Sequence, residues 1–132
     1  MLTIPVKFNR VIDVTLLVGK MSSASYQHTL VQGDTGPRVL FRLLDSNGET
    51  LNVSGYEVNF YLKRTGEEGH VNAGHEACSG YDVENGEVVY DFVSGDLNTP
   101  GTYFGDVQID MLNGRKETGY EVVRFLVRGS NQ

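Results

Sequence analysis

The 132-residue chain has little of the chemistry on which most enzymes depend: one cysteine, three histidines, three prolines and no tryptophan. A lone thiol, Cys78, excludes an internal disulfide framework and offers no paired-cysteine spacing for zinc. Basic residues are few, 11 Lys and Arg against 17 Asp and Glu, for a formal charge of −6. That balance argues against nucleic acid, whose phosphates are neutralised by clustered Lys and Arg, and against an anionic membrane surface. Long apolar runs are missing as well. Near the N-terminus the longest is Leu16-Leu17-Val18, far short of the roughly 20 residues of a membrane span. No signal-peptide core forms there either, so synthesis in a cytoplasm is expected, and Asn52-Val53-Ser54 is a glycosylation sequon in form only.

What the chain does have is period-two alternation, the mark of half-buried strands. Leu2, Ile4, Val6 and Phe8 share one face, and Ile12, Val14, Leu16 and Val18 repeat the pattern after Asn9-Arg10. Residues 19–25 are small and polar, like a linker. Strands are then predicted over 26–32 and over 38–44, with Val39, Phe41 and Leu43 inward. A further strand sets Tyr56, Val58, Phe60 and Leu62 inward, and another Val88, Tyr90 and Phe92. Tyr103, Val107, Ile109 and Met111 form the next inward set, and Val123, Phe125 and Val127 the last. Asn47-Gly48, Asn85-Gly86 and Asn113-Gly114 are turn signals, because this pair tolerates positive φ. Gly105 falls mid-strand, where a close neighbour would be accommodated. No helical period persists. The expectation is an all-β, antiparallel β-sandwich of seven to eight strands, with a closed barrel as the structural alternative.

Two regions are predicted: residues 1–25, an N-terminal arm or strand with a short linker, and residues 26–132, the sandwich. Residues 1–25 carry Lys7, Arg10 and Lys20 against Asp13, a net +2, and the remainder carries −8. Pro5 lacks an N–H, which suits a sheet edge or an extended arm. In one reading Leu2, Ile4, Val6 and Phe8 add to a neighbour's sheet while Lys7 and Arg10 meet its acidic surface. In the other, the same residues form the first strand of their own sandwich.

Catalytic and metal chemistry are weakly signalled. His70, His75, Glu76 and Cys78 have metal-ligand side chains, but one loop would supply them all, so a solvated loop without metal or cofactor is expected. Cys78 would need a base beside it to act as a nucleophile. Asp106 and Asp110 flank Gln108 on an outward strand face, as charges that keep a sheet wet normally do. Binding is the better prospect. Tyr61, Tyr81, Tyr90, Tyr103, Phe104 and Tyr120 could stack on a sugar or pack on a partner. Phe104 lies opposite its strand's core set, as do Leu40, Leu44, Val122 and Leu126 on theirs, and apolar residues on a polar face can mark an interface.

From residue 26 to residue 128 the order of signals resembles the N-terminal domain of the phage baseplate upper protein family. The features are Val31-Gln32-Gly33-Asp34-Thr35-Gly36 before Val39-Leu40-Phe41-Arg42-Leu43, then Asp45-Ser46-Asn47-Gly48 and Leu51-Asn52-Val53-Ser54-Gly55-Tyr56 before Val58-Asn59-Phe60. Asn85-Gly86-Glu87-Val88-Val89-Tyr90, Pro100-Gly101 before Tyr103, and the closing Phe125-Leu126-Val127 also fit. The resemblance implies an Ig-like sandwich that serves as a non-enzymatic attachment module in a virion, with no cofactor. Family members continue into a coiled-coil or fibre region, whereas this chain stops at Gln132, so a baseplate or tail adaptor, a capsid decoration or a head-fibre-type protein are all expected forms. Its partners would be other virion proteins and copies of itself. The alternative is a carbohydrate-binding sandwich for host-surface glycans.

Overall fold

Alternating apolar residues can be buried only if two sheets close on each other, and that is how the chain resolves its pattern. The computed structural model describes residues 11–18, 26–111, 113–118 and 123–129. One sheet holds β1 (Val11–Leu17), β3 (Arg38–Leu44), β6 (Glu87–Asp91) and β5 (Ser79–Asp82), in the order β1-β3-β6-β5. The other holds β2 (Tyr26–Val31), β9 (Val123–Arg128), β7 (Gly101–Asp110) and β4 (Glu57–Arg64), in the order β2-β9-β7-β4, with β8 (Lys116–Thr118) also paired to β7. A single 3-10 turn at Val83–Asn85 is the only helical element among the described residues. The fold is an all-β sandwich.

Between the layers, side chains from both sheets interdigitate. Phe60 of β4 is the hub: its ring centroid lies 5.0 Å from Phe41, 5.1 Å from Tyr90 and 6.3 Å from Phe125. Phe92 closes the cluster, 5.5 Å from Tyr90 and 5.9 Å from Phe125. These offset and edge-on arrangements suit the ring quadrupoles. The Phe60 ring sits directly over Gly105 of β7, and a Cβ there would collide with its tip. Glycine at 105 is therefore a packing requirement of the hub. At Gly86 the constraint is doubled: φ is 77°, and a Cβ would stand 2.5 Å from the Leu43 carbonyl oxygen.

Several expectations are corrected. The sheets are mixed, because β1 pairs parallel with β3, and β2 parallel with β9. Parallel pairs need a long crossover; the chain supplies one by placing β2 in the opposite sheet between β1 and β3. The strand half of residues 1–25 is not separate from the sandwich: Ile12, Val14, Leu16 and Val18 are buried in the common core. Residues 1–10, which include Leu2, Ile4, Val6, Lys7, Phe8 and Arg10, lie outside the described residues, as do residues 19–25, Tyr120 and Val122. Tyr56 stands ahead of β4 and is 37% exposed, not a core residue. Tyr90 and Tyr103, expected among the surface aromatics, are each 1% exposed.

The largest departure concerns residues 70–80. Instead of a solvated loop, this segment runs along the outer edge of β4, where the Phe60 N–H donates to the Glu76 carbonyl and the Cys78 N–H to the Val58 carbonyl. An edge strand left open would expose unpaired backbone groups. Fully buried Asn72 continues the seal with its side chain, accepting from the Leu62 N–H and donating to the Phe60 carbonyl.

Candidate interaction surfaces

The chemistry-bearing residues of the sequence are drawn into separate jobs. His75 Nε2 lies 2.8 Å from Asp96 Oδ1, a pair whose geometry resembles half of a catalytic triad. The second Asp96 oxygen, however, accepts the Tyr90 hydroxyl at 2.6 Å and the Val93 N–H at 3.1 Å. Asn72 completes the cluster by donating to the Tyr90 oxygen at 3.1 Å. Asp96 is thus the buried post to which the 70–78 segment, β6 and the 93–97 turn are tied. The Tyr90 hydroxyl, pushed well above the ordinary phenol range first by burial and then by its bond to Asp96, stays protonated.

Neither the other histidine nor the thiol joins this cluster. His70 lies against Tyr61, with ring centroids 4.9 Å apart. Cys78 is pushed up to about 12 by burial, with a further push from Asp91, so it is a neutral thiol at physiological pH and a poor nucleophile. Among the described residues, no group of three His, Cys, Asp or Glu side chains converges on a common metal position. Cys78 instead lines an open groove of about 600 Å³ between the β4 and β5 sides of the sandwich, with Val53, Tyr56, Val58, Val83 and Met111.

The outer face of the first sheet is organised differently from an ordinary wet surface. Leu40 of β3 stands opposite Val89 of β6, and Val11 and Tyr81 extend this apolar strip while remaining 50% and 67% exposed. Together with Arg38 they line a shallow depression of about 160 Å³. On one side Arg38 forms a bidentate pair with Asp91, at 2.8 and 3.2 Å. On the other, Arg42 bridges Glu87 and Asp13, the latter at 3.1 Å. An apolar centre with a rim of paired charges is the usual anatomy of a protein interface. Leu40 was readable from the sequence as an outward residue. Tyr81 stood out only as one aromatic among six, because β5, Ser-Gly-Tyr-Asp, carries no alternation that would declare it a strand.

The outer face of the second sheet carries Phe104, outward as expected, half-buried beneath the Arg124 guanidinium at 5.1 Å. Leu126 lies on the same face and is 38% exposed. Further along, Tyr61, His70, Asp106 and Gln108 enclose a recess of about 300 Å³. Burial raises the Asp106 carboxyl above its ordinary value, an effect that nearby His70 opposes.

No protein-family model and no curated protein matches this sequence. Among solved structures, the chain is similar to one described as the N-terminal domain of phage TP901-1 ORF48, with a TM-score of 0.65 and 16% identity. The match covers 90% of this chain and 98% of that one, and so takes in part of residues 1–25 as well as the sandwich. At that identity the likeness is one of fold.

Proposed function

We propose that this protein is a structural component of a bacteriophage virion, a non-enzymatic module that binds other virion proteins and copies of itself. The observation that carries the reading is the strip formed by Val11, Leu40, Tyr81 and Val89, an apolar centre between two rows of paired charge on an otherwise polar sheet face. A phage protein domain of the same fold adds support. An immunoglobulin-like description draws on the strand orders β3-β6-β5 and β9-β7-β4, which correspond to the two sheets of that topology. In this reading, binding comes from burial of the strip, with the flanking arginine pairs setting orientation. Residues 1–10 act as an arm that adds apolar contact through Leu2, Ile4, Val6 and Phe8 and charge through Lys7 and Arg10. Baseplate or tail adaptor is the preferred form and capsid decoration the second.

An antibody against the chain, applied to density-purified particles from a producing culture, tests this. Signal that stays with the particles through a high-salt wash supports the assignment, and signal confined to the soluble lysate refutes it. The arm is tested by light scattering on the full chain and on a version lacking residues 1–10, since removing residues 1–25 would also strip β1 and four core residues from the sandwich.

A further inference from the structure

In the β4–β7 pair Tyr61 stands directly opposite Asp106, and Asn59 opposite Gln108. His70, from the segment that seals β4, closes the third side by resting on the Tyr61 ring. The resulting recess of about 300 Å³ has an aromatic wall, one carboxylate, one amide and one imidazole. Gln108 Oε1 lies 3.4 Å from the Tyr61 hydroxyl. None of the ion pairs among the described residues includes Asp106, although its carboxylate is partly withdrawn from water. Lys63, the next residue on this face of β4, is exposed and makes none of those pairs.

This lining selects against most ligands. No Lys or Arg lines the recess, so a phosphate or carboxylate would face Asp106 unaided. The surroundings strengthen that bias, because Glu57, Glu76 and Asp110 also act on the Tyr61 hydroxyl. A neutral sugar would find hydrogen-bond partners but nothing to compensate the half-buried carboxylate. A planar cation satisfies both features. Guanidinium stacks on aromatic faces and meets a carboxylate with two parallel N–H bonds, which an ammonium cannot do. It is also more weakly hydrated, so it enters a partly dry site at lower cost.

We propose that the recess of Tyr61, His70, Asp106 and Gln108 receives an arginine side chain borne on a segment of a partner protein. The guanidinium lies along the Tyr61 and His70 rings, donates to Asp106, and leaves the Gln108 amide to bond the partner's backbone. The identity of the partner as a protein rests on the assembly reading above, while the chemistry of the recess does not. The strip on the first sheet and the arginine recess on the second then give the module two docking faces on opposite sides of the sandwich.

The test is a two-dimensional amide NMR titration of the full chain with acetyl-Gly-Arg-Gly-amide, and with the citrulline peptide as the neutral isostere. The arginine peptide is expected to shift residues 61, 70, 106 and 108 together. Its affinity should fall about tenfold or more with citrulline or in Asp106→Asn, the loss expected for one charge-assisted pair. Tyr61→Leu should weaken binding while leaving the spectrum elsewhere unchanged. Equal shifts from the citrulline peptide, undiminished binding in Asp106→Asn, or no clustered shift at about 20 mM peptide would overturn the proposal. Methyl glucoside in place of arginine shifting the same residues would also overturn it, by making the recess a sugar site. A negative result here leaves the particle-association experiment standing, and the reverse holds equally.

Discussion

Replacing Asp96 with alanine separates a structural reading of the His75–Asp96 pair from a catalytic one. The carboxylate is fully buried and accepts from Tyr90, Val93 and His75. In Asp96→Ala the Tyr90 hydroxyl, enclosed in the core, loses the acceptor for its proton, at a cost of about 1–3 kcal/mol for a buried orphan donor. The Val93 N–H is partly buried and adds about 1 kcal/mol. His75 is 40% exposed and turns to water at little cost. The sum is about 2–4 kcal/mol, a large part of the roughly 5–15 kcal/mol that holds a domain folded. Asp96→Asn keeps an acceptor for Tyr90 and Val93 and should lose about 1 kcal/mol. Tyr90→Phe removes the orphan donor, so in that background Asp96→Ala should cost about 1–2 kcal/mol less than it does alone. Urea unfolding followed by tyrosine fluorescence measures all four species, free of any tryptophan signal. A loss below about 1 kcal/mol for Asp96→Ala, or no relief from Tyr90→Phe, would refute the tethering argument.

Other expectations follow from the same packing and electrostatics. Gly105→Ala forces the Phe60 ring aside and should cost about 1–3 kcal/mol, with part recovered by Phe60→Leu in the same chain; equilibrium unfolding of the double variant checks this. Cys78, a neutral thiol in the native state, should react with Ellman's reagent at pH 8 about 100-fold more slowly than in urea, as a stopped-flow comparison would show. Asp106 has its folded value raised by burial, so the folded state holds its proton more tightly than the unfolded chain. Its contribution is therefore fully present below its ordinary unfolded value, 3.8, and is lost as pH rises through the raised folded value. Asp106→Asn should remove that downward slope without loss of stability at neutral pH, and thermal melts across the acid range would reveal it.

The sequence was most legible where one face of a strand is buried and the other wet. Val39, Phe41 and Leu43, or Val123, Phe125 and Val127, alternate because each lies in a two-layer core, and Gly105 marked the place where Phe60 presses on β7. Legibility failed where backbone hydrogen bonding, not burial, determines the structure. β5 is exposed at every residue and exists because β6 offers it an edge. The 70–78 segment has no apolar rhythm since its work is to satisfy the β4 edge with main-chain groups and the Asn72 amide. Parallel pairing of β1 and β2 could not be read either, because strand direction depends on which sheet the intervening chain enters, and alternation carries no sign of direction. Of the candidate surfaces, Phe104 and Leu40 were visible as apolar residues on the wrong face. The recess was not: Tyr61 and Asp106 are 45 positions apart in the chain, and only the β4–β7 register sets them opposite each other.

The central claim is that the strip on the first sheet is covered in an assembled particle. Hydroxyl-radical footprinting of Tyr81 tests it most directly, because this side chain is among the most exposed large apolar groups of the isolated chain. The account predicts that Tyr81 is oxidised readily in the purified protein and is protected about fivefold or more in intact particles, as expected for a residue buried at the centre of an interface. Equal oxidation of Tyr81 in the two samples, with the chain demonstrably present in the particle, would contradict it.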